Sequence, residues 1–559
     1  MKGIPCFLVF LFVLIFGSAS FAAAPGSLDS SFAIGGKLFF DLPQARTIVS
    51  VLSQPDGKLI LIGSANNGTN DDFLLIRLTS KGALDTTFDG DGLVLTDFGG
   101  IDRASDVAIQ NDGKIIVVGT VDNGSGVTDS AIARYLPGGA LDTSFSGDGK
   151  AILTNFPGMQ GDAFWTVICQ PDGKIVAGGS APSGFLLARF DASGSLDSSF
   201  GASGITVTSG GTFVRDVRDV FVLGDGKLIA AGGSSRSVVA RYNADGSLDA
   251  SFGGSGISIL NFGFYAQATA YDIAPDGKII LAGAASPTND FSGFVARLTS
   301  LGVPDNTFGN GGIQVTDLNP GGADFFNDVS LDSEGRVVAI GYTGDSSTWD
   351  PALVRYNNDG STDQRFGIGG KVVRDLGGEE PIYAATIVGD KLVAVGNRQL
   401  SLGIYAMRFD LLTAPSSSSD FDGDGFSDYA VFRPSTATWY IQRSTDNTVQ
   451  IVPFGTSGDI PLDGDFDGDG RTDLAIFRPS AGQWWVSRSS SGSAFAVQFG
   501  QSTDKPSVGD YDKDGRTDIA FWRPSTGVWN VLRSSDGFTS YFGVPFGASG
   551  DIPIGAAPQ

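Results

Sequence analysis

"ASDVAIQNDGKIIVVGTVDNGSGVTDSAIARYLPGGALDTSFSGDGKAILTNF", residues 104–156, is the stretch whose reading decides the fold. It holds four short apolar segments, "ASDVAIQ", "KIIVVGT", "SAIARYL" and "KAILTNF", separated by turn-forming Gly, Asp, Asn and Pro. Segments of this length between turn signals read as a four-stranded antiparallel meander. The middle two are apolar without alternation, which predicts strands buried on both faces, as when small sheets stack radially. One such unit cannot bury both faces by itself, so the pattern must recur.

It does recur. The phrase "LDTSF" at Asp142 returns as "LDSSF" at Asp29, "LDTTF" at Asp85, "LDSSF" at Asp197, "LDASF" at Asp249, "PDNTF" at Asp305 and "TDQRF" at Asp363. A "PDGK"-like turn accompanies it at Gly57, Gly113, Gly173, Gly226, Gly277 and Gly335, with a degenerate form near Asp390. An arginine precedes an apolar or aromatic residue in every unit, at Arg77, Arg134, Arg189, Arg241, Arg297, Arg355 and Arg408. These features resemble the delta-60 repeat of bacterial secreted proteins. The expected fold is all-β, with a seven-bladed β-propeller over residues 25–412. The first unit begins with what should be a fourth strand, near Lys37–Leu42, and the last lacks that strand, so the N-terminal strand is expected to complete the sheet of residues 382–412 and leave no open edge. An open solenoid is the alternative.

A feature present in every blade solves a problem common to every blade, so the seven Arg and seven Asp are expected to staple the "LDxSF" turn. "DGDG" at Asp89–Gly92 has counterparts such as "SGDG" and "GNGG" and reads as a turn. Asp106, Asp219 and Asp328 share one place, counted back from the turn glycine, at the start of the strand expected to line the channel. There they could take a cation or a polar ligand, or pair with backbone amides.

Residues 465–480, "DFDGDGRTDLAIFRPS", start a different pattern. Alternating carboxylates on a tight glycine-bearing loop can converge on one hard divalent cation. The EF-hand version of this loop ends in a bidentate glutamate, where this chain has Ile476. The residues after Asp473 read as a buried strand. The stretch recurs at Asp420 and Asp510, one period of about forty-five residues apart, together with "FRP" arginines Arg433, Arg478 and Arg523, tryptophans Trp439, Trp484 and Trp529, and a closing "FGTSGDIP", "FGQSTDKP" or "FGASGDIP". The three units resemble FG-GAP or VCBS-type repeats, known from integrin-like propellers and bacterial surface proteins. Residues 420–559 are therefore expected to be a small, propeller-like but incomplete β-repeat module holding structural calcium. The expected ligands are the side chains of Asp420, Asp422, Asp424 and Asp428; of Asp465, Asp467, Asp469 and Asp473; and of Asp510, Asp512, Asp514 and Asp518, with the backbone carbonyls of Phe426, Arg471 and Arg516. The equivalent tryptophans are expected in the core, with Trp522 standing for the Phe of "FRP", which leaves Trp485 as a candidate for stacking on a sugar.

Composition bounds the rest. The chain of 559 residues carries 37 Lys and Arg against 61 Asp and Glu, a net charge of -24, which disfavours nucleic acid and anionic membranes as partners. It has no histidine, which removes the Ser-His-Asp triad and histidine-bound metals but leaves carboxylate catalysis. Residues 1–24 read as a secretory signal peptide, with an apolar run too short for a comfortable span, and no membrane insertion is expected once it is removed. Cys169 would be the only cysteine of the mature chain, so no internal disulfide forms. Residues 413–419 read as a Ser-rich linker. These readings lead to an expected non-enzymatic, adhesion-like protein, secreted or on the bacterial surface, binding an extracellular protein or glycan. The alternative is an extracellular hydrolase, glycan- or lactone-acting, that uses the channel carboxylates.

Overall fold

The computed structural model describes residues 25–559 except 41, 43–44, 123, 125, 154–160, 212, 288–289, 346–347, 399–402, 412–418, 423–426, 470, 513, 515, 549–550, 552 and 554–559. The expected signal peptide, nearly all of the linker, Asp424 and Phe426 therefore lie outside the described residues. The chain divides into two compact units, one of residues 25–412 and one that includes residues 413–559. Every regular element among the described residues is a strand.

The first unit is a β-propeller of seven four-stranded antiparallel sheets. The first strands of blades 1 to 7 are Ala45–Ser53, Ile101–Ile109, Ala163–Cys169, Val217–Val222, Tyr265–Ile273, Ala323–Leu331 and Ile382–Val388. Each of these strands touches the first strand of the next blade, and that of blade 7 touches that of blade 1. Blade 7 takes its outer strand from the other end of the unit: Lys37–Phe40 pairs antiparallel with Gly403–Asp410 in the register Lys37 to Met407 and Phe40 to Ile404. This is the pairing expected from the complementary ends.

The middle strands are buried on both faces, as their unbroken apolar runs require; Leu59–Ala65 and Ile115–Val121 have no exposed residue. Their side chains form cores shared by neighbouring blades. One such core unites Ile48, Leu61 and Leu74 of blade 1 with Ala384, Val395 and Ala406 of blade 7. The phenylalanine of each "LDxSF" phrase, from Phe32 to Phe366, is fully buried, and burial of such a ring contributes about 1.5–3 kcal/mol.

In every blade the pairing of the first two strands contains a register shift, for example between Ala104 and Asp106, Val217 and Asp219, and Phe326 and Asp328. The bulge pushes a backbone carbonyl toward the second strand, which answers with a glycine. A Cβ on Gly119 would lie 2.0 Å from the Arg103 carbonyl oxygen, and one on Gly341 would lie 1.9 Å from that of Phe325. The glycines of "VVGT" and its counterparts thus follow from the bulge, and the bulge sets the direction of the aspartate beyond it.

The second unit contains one three-stranded sheet, Tyr429–Arg433, Thr438–Gln442 and Val449–Pro453, and two four-stranded sheets within residues 460–498 and 505–545. The aspartate-rich loop links the first and second strands of a sheet, as between Ile460–Gly464 and Asp473–Arg478. Successive repeats are joined through these loops: Thr472 N donates to the Asp420 carbonyl and Thr517 N to that of Asp465.

Candidate functional sites

The repeated Arg and Asp of the propeller form a clamp, and the clamp is spent on structure. In blade 2, Arg134 Nε donates to Asp142 Oδ2 at 2.8 Å, Nη1 to the Ala192 carbonyl of blade 3 at 2.7 Å, and Nη2 to Ser144 Oγ at 3.1 Å. The guanidinium lies 4.7 Å from the centre of the Phe145 ring. The same Nε bond joins Arg77 to Asp85, Arg189 to Asp197, Arg241 to Asp249, Arg297 to Asp305, Arg355 to Asp363 and Arg408 to Asp29. Arg408 also reaches the Ser80 carbonyl, so the clamp spans blades 7 and 1 as well. Desolvation alone would raise the Asp142 carboxyl; Ser144, Lys114 and Arg134 outweigh it and pull it down to about 2. These bonds are the staple that the repeat predicts.

The structure places Asp106, Asp219 and Asp328 just beyond the bulges of blades 2, 4 and 6. Each reaches the first strand of the next blade: Asp106 Oδ2 accepts from Val167 N at 2.9 Å, Asp219 Oδ2 from Tyr271 N at 3.0 Å, and Asp328 Oδ2 from Ala385 N at 2.6 Å. Asp106 Oδ1 and Asp328 Oδ1 accept from the following amides, Val107 N and Val329 N. Each side chain keeps some solvent contact yet lies deep in protein, and desolvation is the largest cause of raised carboxyls: about 6 at Asp106 and about 7 at Asp328. Asp219 is raised by desolvation and then by the charges of Asp106 and Asp328, so the three share one electrostatic environment. A fourth member, Asp272, accepts from Leu331 N at 3.0 Å and contributes to the fields at Asp219 and Asp328. It sits two residues along from the repeat position, so counting from the turn glycine passes over it.

In the second unit each loop brings carboxylates together. Asp420, Asp422 and Asp428 offer oxygens within 4.8 Å of one another, as do Asp465, Asp467 and Asp473, and Asp510, Asp512 and Asp514. The ninth position has a heavy structural duty. Asp473 Oδ2 accepts from Phe466 N and Oδ1 from Ser489 N, and Asp518 likewise accepts from Tyr511 N and Ser534 N. Desolvation first, and Asp467 among the further causes, raises the Asp473 carboxyl to about 6. Asp469 accepts from Ser489 Oγ and from Arg471 N, and Asp514 accepts from Ser534 Oγ and from Arg516 N. Three carboxylates converging on a short loop belong to the all-oxygen donor set of a calcium site. The residues present fit such an ion.

Two of the "FRP" arginines clamp the aspartate of the preceding repeat's closing phrase: Arg478 donates twice to Asp459 at 2.8 Å, and Arg523 twice to Asp504 at 2.8 and 2.7 Å. Trp439 and Trp484 are buried as expected and donate to the carbonyls of Phe454 and Phe499. The third repeat departs from the expectation. There Trp522 is buried and donates to Phe546 O, while Trp529 is half-buried against Tyr511. The indole in the "FRP" strand, paired opposite Trp529 on the adjacent strand, takes the bond to the closing carbonyl, which frees the usual tryptophan from the core. Trp485 borders a cavity of about 370 Å³ with Arg478, Ile476, Phe454 and Pro453. The Arg478 guanidinium lies 5.5 Å from its ring centre.

One cluster escaped the reading of the repeats because it breaks them. Tyr265, Phe291, Phe325, Tyr342 and Trp349 of blades 5 and 6 form a continuous aromatic surface with ring centres 5.1–5.9 Å apart. Tyr265 and Phe291 are exposed, and the other three are half-buried. At the corresponding places blade 2 has Ile101, Thr128, Arg103 and Thr120. No packing requirement of the repeat accounts for the rings.

Parts of the chain match known repeat families. The profile of the family described as "Domain of unknown function (DUF5122) beta-propeller" matches residues 54–88, 110–145, 170–200, 223–252, 274–308 and 333–366. That of the FG-GAP-like repeat matches residues 465–521. No curated protein matches the chain. Among solved structures, a catalytically inactive virginiamycin B lyase from Staphylococcus aureus, crystallised with quinupristin, is 9% identical with a TM-score of 0.41, over 67% of this chain and 99% of that one. Sqt1 from Chaetomium thermophilum, bound to the N-terminus of a ribosomal protein, is 12% identical with a TM-score of 0.37, over 78% of this chain and 95% of that one. No helix among the described residues is long and apolar enough to cross a membrane. The chain therefore joins DUF5122 β-propeller repeats to an FG-GAP-like repeat region.

Proposed function

We propose that the protein is a secreted, non-enzymatic binding protein of adhesion type: the propeller presents the ligand-binding face, and the C-terminal repeats are held in shape by calcium. The observation that carries this reading is the aromatic surface of Tyr265, Phe291, Phe325, Tyr342 and Trp349, which is accessible and unexplained by packing. Aromatic faces of this kind stack on sugar rings or receive apolar side chains, and either suits an extracellular glycan or protein. Binding without catalysis is supported by the channel aspartates, whose oxygens are engaged by main-chain amides of the next blade. Calcium is supported by the three carboxylate loops and secretion by the apolar N-terminal segment.

The test is a binding survey of the full chain against extracellular polysaccharides and surface proteins by surface plasmon resonance. The Phe291→Ala/Trp349→Ala variant should lose the interaction at least tenfold while keeping its circular dichroism. Unchanged binding would move the site elsewhere. Release of reducing ends or ring-opened lactone, abolished by Asp328→Asn, would establish the hydrolase instead.

A further inference from the structure

A third group of carboxylates lies in the propeller, away from both the calcium loops and the channel. Asp72, in the third strand of blade 1, Asp97, in the loop between blades 1 and 2, and Asp102, in the first strand of blade 2, offer oxygens within 4.8 Å of one another. Asp72 and Asp102 are buried, whereas Asp97 is exposed and gives the cluster an open side. Proximity of acids alone does not make a site. The decisive observation is that Asp102, with no exposed surface, leaves Oδ1 without any hydrogen-bond partner. Its other oxygen accepts from Phe98 N at 2.6 Å. A fully buried carboxylate oxygen with no donor is costly, and native structures supply one.

Blade 6 shows what that donor is when the protein provides it. Asp324 holds the place of Asp102, four residues before Asp328 as Asp102 is before Asp106. Its Oδ2 accepts from Leu318 N at 2.7 Å, as Asp102 does from Phe98 N, but its Oδ1 accepts from Thr343 Oγ1, the residue opposite it in the second strand. Opposite Asp102 stands Val121, buried and with nothing to donate. The change runs the same way across the junction, where blade 1 has Asp72 at the place at which blade 5 has Ser292. The junction of blades 1 and 2 has thus lost a hydroxyl donor and gained a carboxylate at the same spot; the junction of blades 2 and 3 shares the change, with Asp162 Oδ1 also unpartnered and Asp129 at the place of Asp72, but among the described residues only the former gathers three carboxylates.

The other polar contacts leave that spot short of positive charge. Asn67 Nδ2 donates to both oxygens of Asp72 at 3.1 and 3.0 Å, and Asp97 Oδ1 accepts from Gly99 N at 2.5 Å. Lys150 is the nearby cation, but its Nζ donates to the Asp97 carbonyl at 2.8 Å and lies over the Phe98 ring rather than pairing with a carboxylate. Asp71 adds a further negative charge beside Asp72. Desolvation, with the charges of Asp72 and Asp97, outweighs the Phe98 amide and the Lys150 charge and raises the Asp102 carboxyl to about 6.

We infer that Asp72, Asp97 and Asp102 form a binding site for a hard divalent cation, of the calcium class, at the junction of blades 1 and 2. The donors are all oxygens, the orphan Oδ1 of Asp102 supplies the buried ligand, and water entering past Asp97 completes the shell. The ion takes the place that Thr343 fills in blade 6 and ties the third strand of one blade to the first strand of the next.

The test is an ion count on the full chain. Wild type, Asp102→Asn and Val121→Thr are dialysed against calcium chloride, and bound calcium per chain is measured by mass spectrometry, with circular dichroism confirming the fold. Wild type should carry one more ion than Asp102→Asn, because the C-terminal loops contribute equally to both. Val121→Thr, which offers Asp102 the hydroxyl that blade 6 has, should weaken the additional ion at least tenfold and leave the protein no less stable in chelator. Equal counts in wild type and Asp102→Asn would overturn the inference. So would a Val121→Thr protein more stable in chelator with its ion count unchanged, since Asp102 would then be holding a proton.

Discussion

The two repeat regions both spend aspartates freely, and they balance them differently. In the propeller the repeated aspartate meets a guanidinium and usually a hydroxyl and a lysine, so that Asp142 is held by Arg134, Ser144 and Lys114 together. In the C-terminal loops the aspartates approach one another, and Asp465, Asp467 and Asp473 offer oxygens within 4.8 Å of one another. A repeat that carries its own counter-charge is complete as a polypeptide. On the proposed reading, one that gathers like charges draws its counter-charge from solution, and its stability becomes a property of the medium.

The largest effect should come from breaking the internal balance. Arg134 is almost wholly buried, and Asp142→Ala leaves its charge without the carboxylate, which costs about 3–5 kcal/mol. Denaturant unfolding of the propeller should show this loss with or without calcium; a loss under about 1 kcal/mol would mean that the clamp is ornamental.

Next comes removal of the external balance. With calcium at about a hundred times its dissociation constant, each loop should gain about 2.7 kcal/mol, all of it lost to chelator. Hydrogen exchange should show faster exchange in strands such as Asp473–Arg478 and Ile519–Arg523, and little change in Val337–Gly344. Cys169 provides an independent reporter: it is half-buried at the end of the first strand of blade 3, and desolvation raises its thiol to about 12, which slows its alkylation while the blade is closed. Faster Cys169 labelling in chelator would erase the distinction between the regions.

A smaller effect separates two kinds of propeller aspartate by pH. Asp106 and Asp328 rise from 3.8 to about 6 and about 7, so between pH 4 and 7 the folded chain keeps protons that the unfolded chain has released. On their account stability falls as pH rises through that window, by about 1–2 kcal/mol given their partial solvent contact. Asp142 and Asp305, lowered to about 2, act in the opposite sense: their contribution is complete above 3.8 and is lost as pH falls toward 2. Asp328→Asn should flatten the upper limb and leave the acid limb unchanged, as read from unfolding midpoints against pH.

The smallest effect lies inside the C-terminal region. Arg478 is anchored twice on the buried Asp459, whereas Arg433 lies on the exposed face of Tyr440 and donates to its hydroxyl. Arg478→Ala should cost about 1–3 kcal/mol by stranding a buried carboxylate, and Arg433→Ala less than about 0.5 kcal/mol, both read from denaturant midpoints.

Much of this was legible because repetition averages away accident. Seven copies of "LDxSF" with a distant arginine describe one clamp seven times, and the missing strand at one end with the spare strand at the other describe one sheet. What stayed hidden is what occurs once. Asp272 performs the duty of Asp106 from a position two residues along, and the Trp522–Trp529 exchange alters which indole is buried without altering the motif. The aromatic surface and the Asp72, Asp97 and Asp102 group come from segments far apart in the chain, and only the folded backbone brings them together. A Val at 121 in place of a Thr looks conservative in sequence and becomes meaningful only when the carboxylate opposite it is seen to lack a donor.

The shared sheet of blade 7 has a mechanical consequence. Because Lys37 lies opposite Met407 and Phe40 opposite Ile404, the chain enters this strand pair and leaves it at the same end. Tension between the N-terminal segment and residue 411 therefore loads the bonds one after another, from Gly26 N to Asp410 O inward, and the seam opens like a zip rather than resisting in shear. Stretched between its ends, the propeller should give way at low force, with blade 7 first. A protein that works under traction would be gripped elsewhere, through a face of the ring and not through its ends.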